Sequence, residues 1–426
     1  MGCDENLGKT APRDCHADAA MTTPKIFLSA GEASGELYGA LLIDALRRLA
    51  PQAECFGLGG RRMERSGFRA IVRDEDVAVM GITEVVRHMP RIYSSYRKLR
   101  ASLIRERPDV AILIDFPDVN LRLAETLRRL EIPVVYLVGP QLWAWKPWRI
   151  RRIRDHVTRM LVIFPFEEPY YRSRGVEAEF IGHPLADLDP PRAGREEFAR
   201  ENRLDASKTW VGLLPGSREK VVRAHLLPML GAARLLGAGY EYLLPVASTL
   251  KLSGVETLLK SMVPDGLTVR AVPDARGALH LAAASIVSSG TATVEAALIG
   301  NPFLVVYRVA PLSYAIARRV VRVDHVAMVN LIAGRRIVPE LIQNEFTAAN
   351  AAAGLRPLLE DRTARETMQA ELRSVGGALC LPADERGRTA IERAARIVLD
   401  CLPGPAKTRL QPAVSAALPG VIEPGI

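Results

Sequence analysis

No stretch of about 18 uncharged apolar residues occurs anywhere in this chain, so nothing in its sequence reads as a membrane-spanning helix. Cysteine is scarce. The five present, Cys3, Cys15, Cys55, Cys380 and Cys401, are odd in number and have neither the C-x-x-C spacing of a zinc site nor the density of a disulfide scaffold. A reducing cytoplasm is the simplest home for such a chain. Residues 1–20 are mostly polar and lack the apolar centre of a secretory signal, which predicts a flexible extension up to residue 23. Two common nucleotide signatures are missing as well: no Gly-x-x-x-x-Gly-Lys-Ser/Thr loop and, after the first strand, no G-x-G-x-x-G. A Walker-type phosphotransferase and a nicotinamide enzyme are thereby disfavoured. No helix-turn-helix, RNP or zinc pattern argues for nucleic acid.

What is present is the composition of a globular α/β protein. In 426 residues, hydrophobic types make up 48% and charged types 25%, and the length predicts two domains. A formal charge of +9 favours anionic partners: phosphorylated substrates, acidic lipid headgroups or nucleic acid. Apolar runs alternate with amphipathic stretches from KIFLSA (Lys25–Ala30) onward, through AECFGLGG, DVAILID, PVVYLV and RMLVIFPF. After a polar joint near residues 185–206 the alternation resumes with TWVGLLPGS, YEYLLPVA, LTVRAV, ASIVSSG and NPFLVVYRV. Strand and helix in turn imply parallel sheets covered on both faces, hence two doubly wound, Rossmann-like units facing a cleft. Their predicted limits are 24–186 and 207–347. Helices follow over 348–402, and a Pro-, Gly- and Ala-rich tail over 403–426 reads as disordered.

Four strand-to-helix junctions carry chemistry. In GEASGE, small residues around Glu32 and Ser34 let a ligand approach the backbone, and Glu32 is placed for the cleft; a plain tight turn is the alternative. In Pro215-Gly216-Ser217-Arg218 a Gly-Ser turn opens a helix as a phosphate cradle, and Arg218 adds a fixed cation. In Ser289-Gly290-Thr291 a second such turn precedes Glu295, a carboxylate placed for ribose hydroxyls. In Asp115-Phe116-Pro117-Asp118-Val119-Asn120 two carboxylates end a strand and offer a general base, with helix capping by Asp118 or Asn120 as the alternative. His183 stands alone at the joint, where a structural role outweighs a catalytic one.

One segment differs in character. Three of the four tryptophans, Trp143, Trp145 and Trp148, are interleaved with Lys146, Arg149, Arg151, Arg152 and Arg154. Indole rings and cations together suit an anionic lipid surface; tryptophans in a core beneath a solvated basic face are the alternative. Residues 87–107 add a second basic stretch.

In order, AGEASGELYGA, VMGITEVV, DFPDVN, GPQLWAWKPWR, FIGHP, LLPGSR, SSGTATVEAAL and VNLIAGRRIVPELIQNE resemble the motif series of the lipid-A-disaccharide synthase family, across roughly residues 25–345. That resemblance implies glycosyltransferase family 19, the GT-B fold and an inverting reaction without metal or other cofactor. In it 2,3-diacylglucosamine passes from UDP to the 6-hydroxyl of 2,3-diacylglucosamine 1-phosphate (lipid X). It also implies work at the cytoplasmic face of the inner membrane, and a homodimer whose C-terminal segment packs on the first domain or on a partner subunit. Matched by position, Glu32 falls in the acceptor-side loop, Asp118 at the catalytic carboxylate, Arg218 at the diphosphate and Asn330 near the nucleotide sugar. Phe116 stands where the usual motif has Ala. The alternative reading is another GT-B enzyme of the cell envelope that uses UDP-GlcNAc.

Overall fold

The computed structural model describes residues 23–404 except 78–81, 193, 248 and 322. The extension expected over 1–23 and the tail over 403–426 lie almost wholly outside these, as does the start of VMGITEVV.

Among the described residues thirteen strands form two parallel sheets. The first contains β1 (Lys25–Ala30), β2 (Glu54–Gly59), β3 (Arg69–Arg73), β4 (Val110–Ile114), β5 (Val134–Leu137), β6 (Arg159–Val162) and β7 (Ala178–Phe180), in the order 3-2-1-4-5-6-7. The second contains β8 (Thr209–Leu214), β9 (Tyr240–Pro245), β10 (Val269–Val272), β11 (Ala284–Ser288), β12 (Phe303–Tyr307) and β13 (Glu340–Ile342), in the order 10-9-8-11-12-13. Central strands such as VAILI and FLVVY are buried on both faces, as a sheet with helices on either side requires. In each sheet the order reverses once, between β1 and β4 and between β8 and β11. Open α/β sheets bind ligands outside the carboxyl ends of the strands at such a reversal.

The core clusters show which helices belong to which half. Helices Ala348–Glu360 and Arg362–Ala378 bury Leu355, Leu358, Met368, Leu372 and Val375 with the second sheet. Of the described helices after residue 347, only Ala390–Asp400 returns to the first domain, where Ile391, Ala394, Ile397 and Val398 pack with Leu42, Ile43 and Leu46 of helix Ala33–Leu49. Residues 348–402 are thus shared between the two domains.

The outgoing and returning connections run side by side. The His183 N–H donates to the Leu379 carbonyl at 2.8 Å, and the Ala390 N–H donates to the Asp187 carboxylate at 2.6 Å. Ala394 is fully enclosed in the returning helix. Ala394→Glu is therefore expected to cost at least about 3 kcal/mol, since it buries an unpaired charge as well as overfilling the site. A drop in thermal midpoint with the second domain's near-ultraviolet signal retained is the corresponding measurement.

Candidate functional site

All four chemistry-bearing junctions lie at the two reversals. Glu32 follows β1 and Asp115 follows β4; Gly216–Arg218 follow β8 and Ser289–Thr291 follow β11.

On the first domain the junction after β4 is held in an uncommon backbone state. Asp115 and Phe116 have φ of 45° and 48°, a left-handed conformation costing side-chain-bearing residues about 1–3 kcal/mol each. Asn120 over-determines it. Its amide nitrogen reaches the Ile114 carbonyl at 3.1 Å and that of Asp115 at 2.7 Å, while its oxygen accepts the Ser29 hydroxyl at 2.6 Å. The Tyr136 hydroxyl donates to the Asp115 carbonyl at 2.7 Å. Asn120 is fully buried and caps nothing; Phe116 is the cap position of helix Pro117–Arg129. The turn sets two carboxylates in contrasting surroundings. Asp118, in the helix's first turn, is 70% exposed and pairs with Arg149, whose own side chain is only 16% exposed. Asp115 is enclosed: burial, and then the nearby Glu32, push its carboxyl up to about 7, against the pull of Arg218.

On the second domain Gly216 has φ of 122°, and a Cβ there would stand 2.9 Å from a Val221 methyl, so the turn after β8 requires glycine. His225, wholly buried in helix Glu219–Leu236, braces this turn. Its Nδ1 lies 2.8 Å from the Pro215 carbonyl, while Nε2 accepts the Arg308 N–H at 2.9 Å, so one imidazole ties the ends of β8 and β12 together. After β11, Ser289 and Gly290 lead into helix Thr291–Ile299, with the Thr293 hydroxyl donating to the Gly290 carbonyl at 2.8 Å. Neither helix start has a side-chain cap among the described residues, which leaves their first N–H groups for an anion. Ser217 and Thr291 are exposed beside them.

The two halves meet across the cleft where Arg218 approaches Glu32 at 3.3 Å. The Arg218 guanidinium thus stands next to the Glu32 carboxylate and within electrostatic reach of Asp115.

Four of the expected site residues sit elsewhere. His183 is buried at the joint, its ring near Tyr38 and Phe164 and its Nδ1 accepting the Leu185 N–H at 3.1 Å. Burial pushes its pKa down to about 3, so the ring is neutral at pH 7 and poorly matched to proton transfer. Asn330 is fully buried, accepts the Ile337 and Val338 N–H groups and donates to the Val338 carbonyl and to Glu340, which uses its whole hydrogen-bonding capacity. Its link to the turn after β11 is indirect: Glu340 also accepts the Val326 N–H, and the Val326 carbonyl receives the Ser289 hydroxyl. Glu295 is mostly enclosed and pairs with Arg276 at 3.4 Å; burial raises its pKa, and Arg276 opposes this. Trp143 turns inward, its indole N–H donating to Glu167 at 3.1 Å and its ring set edge-on against Phe166. Trp145, Trp148 and Arg152 are exposed.

Glu167 is a residue the sequence did not single out. It is buried beneath the Trp143 segment, accepts the Phe164 N–H at 3.3 Å, and burial pushes its carboxyl up to about 7. A carboxyl raised in this way stabilises the fold fully below its unfolded pKa near 4.5, and that contribution is lost as pH rises towards about 7. Glu167→Gln is therefore expected to flatten part of the decline in unfolding free energy between pH 5 and pH 8. Urea titrations at both pH values measure it; an undiminished decline would refute the assignment.

Two Rossmann-like domains, each with a phosphate-type turn or a carboxylate at its strand reversal, define the GT-B class of folds. The fold is shared with UDP-GlcNAc 2-epimerase from Neisseria meningitidis, solved bound to UDP-GlcNAc, at a TM-score of 0.57 and 11% identity, covering 83% of this chain and 97% of that one. Within that class the chain belongs to the lipid-A-disaccharide synthase family: the model described as Lipid-A-disaccharide synthetase matches residues 26–385. Lipid-A-disaccharide synthase of Acidobacterium capsulatum is 56% identical over 392 residues, covering 89% of this chain and 97% of that protein. Its counterpart in Koribacter versatilis is 52% identical over 379 residues, covering 88% and 98%. The chain is a glycosyltransferase of lipid A biosynthesis that forms the lipid A disaccharide. Among the described residues no helix is long and apolar enough to cross a membrane.

Proposed function

We propose that the chain transfers 2,3-diacylglucosamine from UDP-2,3-diacylglucosamine to the 6-hydroxyl of lipid X with inversion at the anomeric carbon. The acceptor oxygen forms the new bond to that carbon as the bond to the UDP oxygen breaks. Asp118 takes the hydroxyl proton, and UDP leaves with its charge held by Arg218 and the helix starts at Gly216 and Gly290. The observation that carries this reading is the approach of Arg218 to Glu32, which brings the phosphate turn of one domain to the carboxylate-bearing strand ends of the other. Exposed Trp145, Trp148 and Arg152 suit work on the cytoplasmic face of the inner membrane, with indoles at the interface and the cation toward phosphate. A homodimer belongs to the same reading.

Purified protein incubated with UDP-2,3-diacylglucosamine and lipid X in detergent micelles is expected to yield the disaccharide 1-phosphate, detected by mass spectrometry, together with UDP. No product under those conditions would remove the substrate assignment.

A further inference from the structure

Two cations on the first domain, Lys146 and Arg149, are given no direct role toward the reacting atoms by the proposed displacement. Lys146 and Arg149 line one pocket with Asp115, Gln141, Trp145 and Glu167, in the connection between β5 and β6. Lys146 has φ of 52°, and its ammonium lies over the Trp145 ring, 4.0 Å from the centroid. Burial pushes its pKa down and the like charge of Arg149 adds to that push, against the opposing pull of the Asp118 carboxylate. Among the described residues no carboxylate forms an ion pair with Lys146, and the partner of Arg149 is Asp118. The two acids in the pocket, Asp115 and Glu167, are both pushed up to about 7 by burial, so near neutral pH each carries only part of its charge.

Two neighbouring cations, one a planar fork and one a point charge, form a site for a compact dianion, and a phosphate monoester has that shape and charge. A diphosphate is provided for separately by the turns at Gly216 and Gly290. Arg149 is the link: the same guanidinium that lines the pocket holds the exposed Asp118 carboxylate. We propose that Lys146 and Arg149 form the subsite for a phosphate monoester on the acceptor sugar, and that filling it draws Arg149 from Asp118 and frees that carboxylate for the acceptor hydroxyl. The inference rests on the reading of Asp118 as the acceptor-side base.

The test compares initial rates of UDP release with two acceptors, 2,3-diacylglucosamine 1-phosphate and the same lipid without phosphate. The wild type is expected to prefer the phosphorylated acceptor by roughly ten- to a hundredfold in kcat/KM, the value of one or two charge-assisted hydrogen bonds. Lys146→Gln and Arg149→Gln should lose most of that preference, chiefly through the rate with the phosphorylated lipid, while the donor KM stays within about twofold. Lys146→Arg, which keeps the charge, should retain part of it. An equal loss for both acceptors, or a change confined to the donor KM, overturns the subsite while leaving the reaction intact. A wild type that makes no disaccharide from either lipid overturns the functional reading and the subsite with it. Sedimentation with phosphatidylglycerol vesicles separates the acceptor from a membrane headgroup: Lys146→Gln should bind them as the wild type does. Lost vesicle binding with an unchanged acceptor preference overturns the proposal.

Discussion

Asp118→Asn is expected to lower kcat by about 10²- to 10⁴-fold, the span of a lost general base, with little change in donor KM. Position is the argument. Asp118 is set by the strained turn at Asp115 and Phe116, lies on the solvent side of the strand end and carries its charge against Arg149. Asparagine keeps the side-chain shape and an oxygen for Arg149 but cannot take a proton. Thermal stability should hardly move, because an ion pair whose carboxylate is so exposed is worth about 0–1 kcal/mol. Unchanged turnover in the Asp118→Asn enzyme would transfer the role elsewhere, and Asp115, enclosed and poised at about 7, is the next group to test.

Arg218→Ala should cost about 10²- to 10³-fold in kcat, comparable to the loss of one preorganised donor to developing charge. UDP affinity should weaken less than turnover does, because the helix starts at Gly216 and Gly290 still offer N–H groups to the ground-state diphosphate. Calorimetry with UDP beside steady-state kinetics separates the two effects. Glu32→Gln provides the contrast. If Arg218 acts only by latching the domains through Glu32, the two variants should lose equally; if it acts on the leaving group, Arg218→Ala should lose far more.

Much of this arrangement was legible in the residues. Ten strands coincide with the apolar runs, and the three that escaped, Arg69–Arg73, Ala178–Phe180 and Glu340–Ile342, all lie at sheet edges. Edge strands are short and half-exposed, so their apolar signal is weak and charges such as Arg69, Arg73 and Glu179 interrupt it. The phosphate turns could be read because a small-residue turn between strand and helix is a local pattern. Asn330 and Trp143 could not be placed, since whether a polar side chain or an indole faces solvent depends on the partners that the fold brings to it: Ile337, Val338 and Glu340 for one and Glu167 for the other. Glu167 carried no signal at all. It is one glutamate among many, and only the fold encloses it.

The returning helix Ala390–Asp400 makes the second domain an insertion, entered near His183 and left near Leu379, with both ends stitched by one backbone hydrogen bond. A domain held by two adjacent tethers has one easy direction of rotation and resists shear, because sliding one tether past the other breaks that stitch. Opening of the cleft should therefore follow a single hinge axis through residues 183 and 379, with Arg218 and Glu32 as the contacts that part first. Mechanical pulling on the same topology would unravel the inserted unit as a closed loop between two anchored points.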